Sequence, residues 1–123
     1  MHHVRLPVSD VLASQDWYER TLDFRPVLVS EEEDAVTGVV MKHTSGVVIG
    51  LHLEPERARA LAGFALLGLS VDDLVPWLEH LDGLNVQHGG IVDGHLGACV
   101  QVRDPDGLVL ELHTPDQPSA DEA

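Results

Sequence analysis

The sequence predicts an α+β fold of two βαβββ modules whose curved mixed sheets surround a cavity, and three observations predict it. Strand-like and helix-like periodicity alternate twice in the same order, and two stretches of the first half echo in the second. Hydrophobic residues make up 44% of the 123-residue chain, enough for one core without disulfide or metal staples.

The first strand is expected over Val4 to Val8, where apolar residues alternate. Ser9 and Asp10 then offer an N-cap to a helix that places Val11, Ser14, Trp17, Tyr18 and Leu22 on one face. Three β-rich stretches follow, around Pro26 to Ser30, Val39 to His43 and Val47 to Leu53, separated by the acidic run Glu31 to Asp34 and by Thr44-Ser45-Gly46. A helical connector runs from Glu54 to Leu61 and ends near Gly63.

The second half repeats this order. A strand from Ala65 to Val71 leads to a cap at Asp72 and to a helix with Leu74, Trp77, Leu78, Leu81 and Leu84 at helical spacing. Pro76 falls in its first turn, where proline is tolerated. Strands are expected near Val86 to Gly89, Leu96 to Arg103 and Leu108 to His113, with the turn Asp104-Pro105-Asp106-Gly107 before the last. The segment Val8 to Leu12 echoes Val71 to Val75, and Gly46 to His52 echoes Gly107 to His113. The chain therefore divides into module one (residues 1–55), a connector (56–63), module two (64–115) and a flexible acidic tail (116–123). Neither half can cover its own sheet, so the sheets of one chain, or of two chains, must close on each other.

With 21 acidic and 7 basic side chains, the formal charge of −14 opposes binding to a phosphate backbone, so nucleic acid is not an expected partner. Such a field attracts cations, although it also serves solubility. No apolar run is long enough to span a membrane, and the first residues lack a secretory layout, so neither a membrane nor export is expected. The single Cys99, placed by its apolar surroundings in the core, agrees with a reducing cytoplasm. Nucleophile-elbow, dinucleotide-binding and paired-cysteine motifs are missing from the sequence, which argues against acyl transfer, dinucleotide chemistry and thiol redox.

Residues His3 to Asp10, the helix residues Trp17 to Phe24 and the closing stretch Arg103 to Leu112 resemble the vicinal oxygen chelate superfamily over residues 2 to 115. That superfamily contains glyoxalase I, bleomycin-resistance proteins, fosfomycin-resistance enzymes and extradiol dioxygenases. The resemblance implies the paired-module fold and association as a homodimer. In metal-dependent members each module supplies one ligand from its first strand and one from its last. Carried over residue by residue, His3 and Glu111 are suitable ligand types, whereas Leu66 and Gly50 occupy the other two positions without a donor atom.

His52 lies two residues beyond Gly50 on the same strand face, and His113 stands in the same relation to Glu111. A two-residue step moves a side chain's origin by about 6.6 Å, whereas a ligand atom sits about 2.0–2.2 Å from zinc. A set of His3, His52 and Glu111 holding one divalent ion (zinc, iron, manganese or nickel) would therefore need a strand shift. The expectation is a small-molecule-binding protein of the bleomycin-resistance kind, without a cofactor, sequestering a drug-like or metabolite ligand with His3, His52, Leu66, Glu111 and His113 on the cavity wall. The alternatives are a divalent-metal-dependent lyase, isomerase or dioxygenase, and a pairing module whose interior its own side chains fill. Trp17 and Tyr18 are expected to pack the helix on the sheet, and the turn at Asp104 is given no chemistry. His88 and His95 are the remaining histidines able to rim a cavity.

Overall fold

The computed structural model describes residues 4–94 and 97–114, and of Leu66 the backbone alone. His3, His95, the first residue of the expected strand at Leu96 and the tail lie outside the described residues.

Module one runs β1 (Val4–Val8), α1 (Val11–Leu22), β2 (Arg25–Glu32), β3 (Ala35–Lys42) and β4 (Val48–Leu53). After α2 (Pro55–Leu61), module two runs β5 (Ala65–Ser70), α3 (Leu74–Gly83), β6 (Val92–Gly94), β7 (Gly97–Arg103) and β8 (Val109–His113). The two sheets are ordered β1-β4-β3-β2 and β5-β8-β7-β6. In each, the first strand pairs in parallel with the last and the other pairs are antiparallel.

Capping sets where the helices begin. Asp10 accepts from Ala13 N at the start of α1. The cap of α3 is Asp73, which accepts from Val75 N, one residue later than the expected Asp72. Aspartate beside aspartate gives the sequence no way to choose, and the backbone at Asp73 supplies the extended φ,ψ that a cap needs. The acidic run is not a loop between strands: Glu31 and Glu32 extend β2, and Glu33-Asp34, at φ 50 and 64, form the two-residue tip of the β2–β3 hairpin. The expected strand at Val86 to Gly89 is reduced to one bridge, His88 to Val102, and the paired edge strand is β6. Glycine pairs at 89–90 and a short apolar run left that boundary ambiguous.

One core serves both modules. Leu6, Val8, Ile49 and Leu51 of sheet one and Leu69, Val100, Leu110 and Leu112 of sheet two join Val11, Tyr18, Leu22, Leu74 and Leu81 of the helices. The modules lock through helix-to-turn contacts. The Tyr18 hydroxyl donates to Asp104 Oδ2 across 2.7 Å in the interior, and Asp104 Oδ1 accepts from Asp106 N and Leu108 N. Burial and the facing Asp104 push the Tyr18 phenol well above its usual range, and burial likewise raises the Asp104 carboxyl. His80 Nε2 lies 3.1 Å from the carbonyls of both Arg20 and Thr21. Both partners are acceptors, so Nε2 carries the proton and helps to cap the C-terminal turn of α1.

Candidate functional site

Side chains alternate across a strand, so whatever does not face the core faces the other side of each sheet. In sheet one that second face carries Arg5 and Pro7 of β1 with Gly50 and His52 of β4, since Leu6, Val8, Ile49 and Leu51 are in the core. In sheet two it carries Glu111 and His113 of β8 with Cys99, Gln101 and Arg103 of β7. Cys99 is therefore not in the core: Val100 and Val102 take those places and Cys99 is half-exposed. Its thiol is raised, first by desolvation and then by Glu111.

The strand registers bear out the internal repeat. Arg5 lies opposite Gly50 in module one, and Gly68 opposite Glu111 in module two. His52 and His113 face Pro7 and Ser70 in the corresponding pairs. Both imidazoles rest on glycines. A Cβ on Gly38 would meet His52 Nδ1 at 3.6 Å, and one on Gly68 would meet His113 Cδ2 at 3.4 Å.

The second face of sheet two holds the denser polar group. Gln101 Nε2 donates to Glu111 Oε2 at 3.1 Å, and His113 Nε2 lies 3.5 Å from Glu111 Oε1. Cys99 is the cross-strand neighbour of His113. Beyond Gln101, His88, Gly89 and Arg103 line a concavity of about 290 Å³. His88 Nδ1 faces the carbonyl of Gly89 and its Nε2 faces Asp82 Oδ1, each at 2.7 Å. Two acceptors on one ring favour the imidazolium, and its pKa is raised by the Gly89 carbonyl and then by Asp82.

Of the expected site residues, the structure brings together Glu111 and His113. His52 sits on the other sheet. Leu66 falls at the register irregularity between Ala65 and Leu67, and His3 is outside the described residues. Five concavities stand out among the described residues, and neither His52 nor Glu111 lines any of them. Among the described residues no three His, Cys, Asp or Glu side chains gather as an ion would need, and Gly50 lacks a donor atom. Gln101 and Cys99 were overlooked as site residues, although their alternation with Val100 and Val102 was signal enough to place them beside Glu111.

The family model described as Glyoxalase/Bleomycin resistance protein/Dioxygenase superfamily matches residues 1–112. No curated protein matches the chain at a significant level. Similar solved structures include a glyoxylase/bleomycin resistance protein/dioxygenase domain from Frankia sp. EAN1pec, at 20% identity and TM-score 0.76, covering 94% of this chain and 97% of that one. TnmS3, an antibiotic binding protein from Streptomyces sp. CB03234, is 22% identical with TM-score 0.76, covering 94% and 98%. The bleomycin resistance determinant encoded on the transposon Tn5 is 18% identical with TM-score 0.74, covering 95% and 98%. At these identities the likeness is one of fold.

Proposed function

Because this chain belongs to the Glyoxalase/Bleomycin resistance protein/Dioxygenase superfamily, we propose that it binds and sequesters a drug-like or metabolite molecule against the second faces of its sheets, without a resident metal. The observation that carries the reading is the Gln101–Glu111–His113 group: polar, open to solvent, joined by the Gln101–Glu111 hydrogen bond and the 3.5 Å approach of His113 to Glu111, and lacking a third metal donor among the described residues. Such a group orients a ligand by hydrogen bonds while neighbouring apolar surface supplies affinity. Relatives whose structures carry antibiotic-binding and bleomycin-resistance names support the same class of ligand.

The cavity is completed by a second copy of the chain. Each sheet has one face in the core and another outside it, and all eight residues of edge strand β2 are exposed, Val27, Leu28 and Val29 among them. No helix among the described residues is long and apolar enough to cross a membrane. The protein acts in the cytoplasm as a homodimer.

The test is metal content after purification without chelator or metal-affinity tag, followed by thermal shift against a panel that includes bleomycin. The expected result is no stoichiometric ion and a raised melting temperature with a bound compound, the shift being reduced in Glu111→Gln. One tightly held ion per chain, lost in Glu111→Gln, would replace sequestration with metal-dependent chemistry. A monomer at micromolar concentration in light scattering would remove the dimeric cavity.

A further inference from the structure

We propose that the hollow beside Glu111 on the second face of sheet two is a carboxylate pocket, in which Arg103 and the amides of Gln87 and Gln101 hold a singly charged acid group of the ligand. The proposal rests on the binding reading of that face and names the chemistry the face selects. The hollow, of about 290 Å³, is lined by Gln87, His88, Gly89, Gln101, Arg103 and Val109.

Its lining differs from the rest of the surface. The other four concavities among the described residues carry carboxylates, Asp72 and Asp73 in two of them, Glu19 and Asp23 in a third, and Glu54 and Glu56 in the fourth. This one carries none, in a chain with 21 acidic side chains. Arg5, Arg20, Arg25 and Arg57 each pair with a carboxylate. Arg103 instead donates from Nη1 to the Gly107 carbonyl at 3.3 Å, which leaves most of its guanidinium N–H groups for a ligand. Glu111, diagonal to Arg103 across the β7–β8 ladder, turns its oxygens elsewhere: Oε2 accepts from Gln101 Nε2 at 3.1 Å, and Oε1 lies 3.5 Å from His113 Nε2.

The facing wall is held in place before a ligand arrives. His88 Nδ1 meets the Gly89 carbonyl and its Nε2 meets Asp82 Oδ1, each at 2.7 Å, while Gly89 N donates to the Gln101 carbonyl at 2.9 Å. These bonds tie the end of α3 to β7, and the bridge from His88 to Val102 brings Gln87 opposite Arg103. A wall so fixed costs less ordering on binding.

Charge decides which acid group fits. The His88 proton is balanced by Asp82, so the uncompensated cation is Arg103 alone among the lining residues, a match for one carboxylate in a two-pronged hydrogen bond. A phosphate, at about −1.5 to −2, would bring charge that this lining does not neutralise. The net charge of −14 opposes every anion, but at about 0.15 M salt charges beyond about 8 Å are largely screened and the local guanidinium prevails.

Benzoate tests this in ¹H–¹⁵N spectra at that salt concentration, compared with benzamide, which is uncharged, benzamidine, of opposite charge, and phenylphosphonate. Benzoate is expected to shift the amides of Gly89, Gln101 and Arg103 saturably, benzamide more weakly and benzamidine not at all. Arg103→Gln should weaken benzoate about tenfold, with Arg103→Lys between the two. Arg59→Gln, the same change of net charge placed on α2, should leave it unchanged. Benzamide or phenylphosphonate binding as tightly as benzoate, indifference to Arg103→Gln in a variant with an unaltered melting temperature, an equal loss in Arg59→Gln, or no saturable shift up to tens of millimolar benzoate would each overturn the pocket. A thermal-shift compound that still binds after such a failure leaves sequestration standing, whereas Arg103-dependent benzoate binding with no such compound upholds the pocket and removes sequestration.

Discussion

The two modules share a frame and differ at two places, the turn before the last strand and the second face of the sheet. In module one the turn His43 to Gly46 closes with Gly46 N donating to His43 O and His43 N to Val47 O. In module two Gly107 N donates to Asp104 O and Asp104 N to Leu108 O, the same two bonds. Both turns end on a glycine with positive φ, +99 at Gly46 and +86 at Gly107. Even the side-chain cap recurs: His43 Nδ1 accepts from Ser45 N as Asp104 Oδ1 accepts from Asp106 N. Imidazole and carboxylate thus do one local job, and the partners across the module junction separate them. Asp104 is held by a phenol, whereas His43 packs among the rings of Phe24 and Trp77. The duplicated unit has kept its backbone hydrogen bonds and spent its divergence on what each turn touches.

The sharpest way to break that comparison is to remove the carboxylate. Asp104→Ala leaves the Tyr18 hydroxyl and the Asp106 and Leu108 amides without their acceptor, and should destabilise the chain by about 3 kcal/mol in urea unfolding. Tyr18→Phe, which strands one carboxylate oxygen, should lose about half as much. The glycines beneath the two histidines offer a second contrast. A Cβ at Gly38 would lie 3.1 Å from the backbone oxygen of Leu51, which cannot swing aside, while at Gly68 it would touch only the movable His113 ring. Gly38→Ala should cost about 1–2 kcal/mol and Gly68→Ala close to nothing in the same measurement.

The fold was legible because its signals were local and given twice. The Asp10 cap, the helical spacing from Val11 to Leu22, and the echo of Gly46 to His52 in Gly107 to His113 each locate an element without tertiary information. The tip of the first hairpin was not legible, because Glu33-Asp34 adopts left-handed backbone without the asparagine or glycine that advertises it. Half of the candidate site could be read. Strand alternation places Glu111 with His113, but which concavities one chain forms depends on how the modules dock. Docking rests on Tyr18 with Asp104 and His80 with the end of α1, contacts separated by 86 and about 60 residues that no periodicity reports.

The two turns should also part company in acid. Burial depresses the His43 pKa, with Asp23 and the Leu22 carbonyl opposing more weakly. A histidine whose folded pKa lies below its unfolded value binds fewer protons when folded. Its contribution is therefore complete above pH about 6.5 and falls away as pH drops through the folded pKa. Denaturation midpoints measured from pH 7.5 to 5 should decline, and His43→Asn, which keeps an acceptor for Ser45 N, should flatten that decline. An unchanged slope in the variant would assign the acid sensitivity elsewhere, Asp104 being a poor candidate because its raised carboxyl pKa favours the fold in acid.

The smallest expected effect separates binding from folding on the second face of sheet two. Glu111 and His113 have side-chain exposures of 28% and 41% and approach to 3.5 Å, a geometry in which solvent screens most of the attraction. Glu111→Gln keeps an acceptor for Gln101 Nε2 and should move unfolding stability by less than about 0.5 kcal/mol. The same variant is the one expected to lose ligand affinity. A large fall in stability with intact binding would make Glu111 a structural counterpart of Asp104 rather than a site residue, and the contrast between the two modules' open faces would then be one of packing alone.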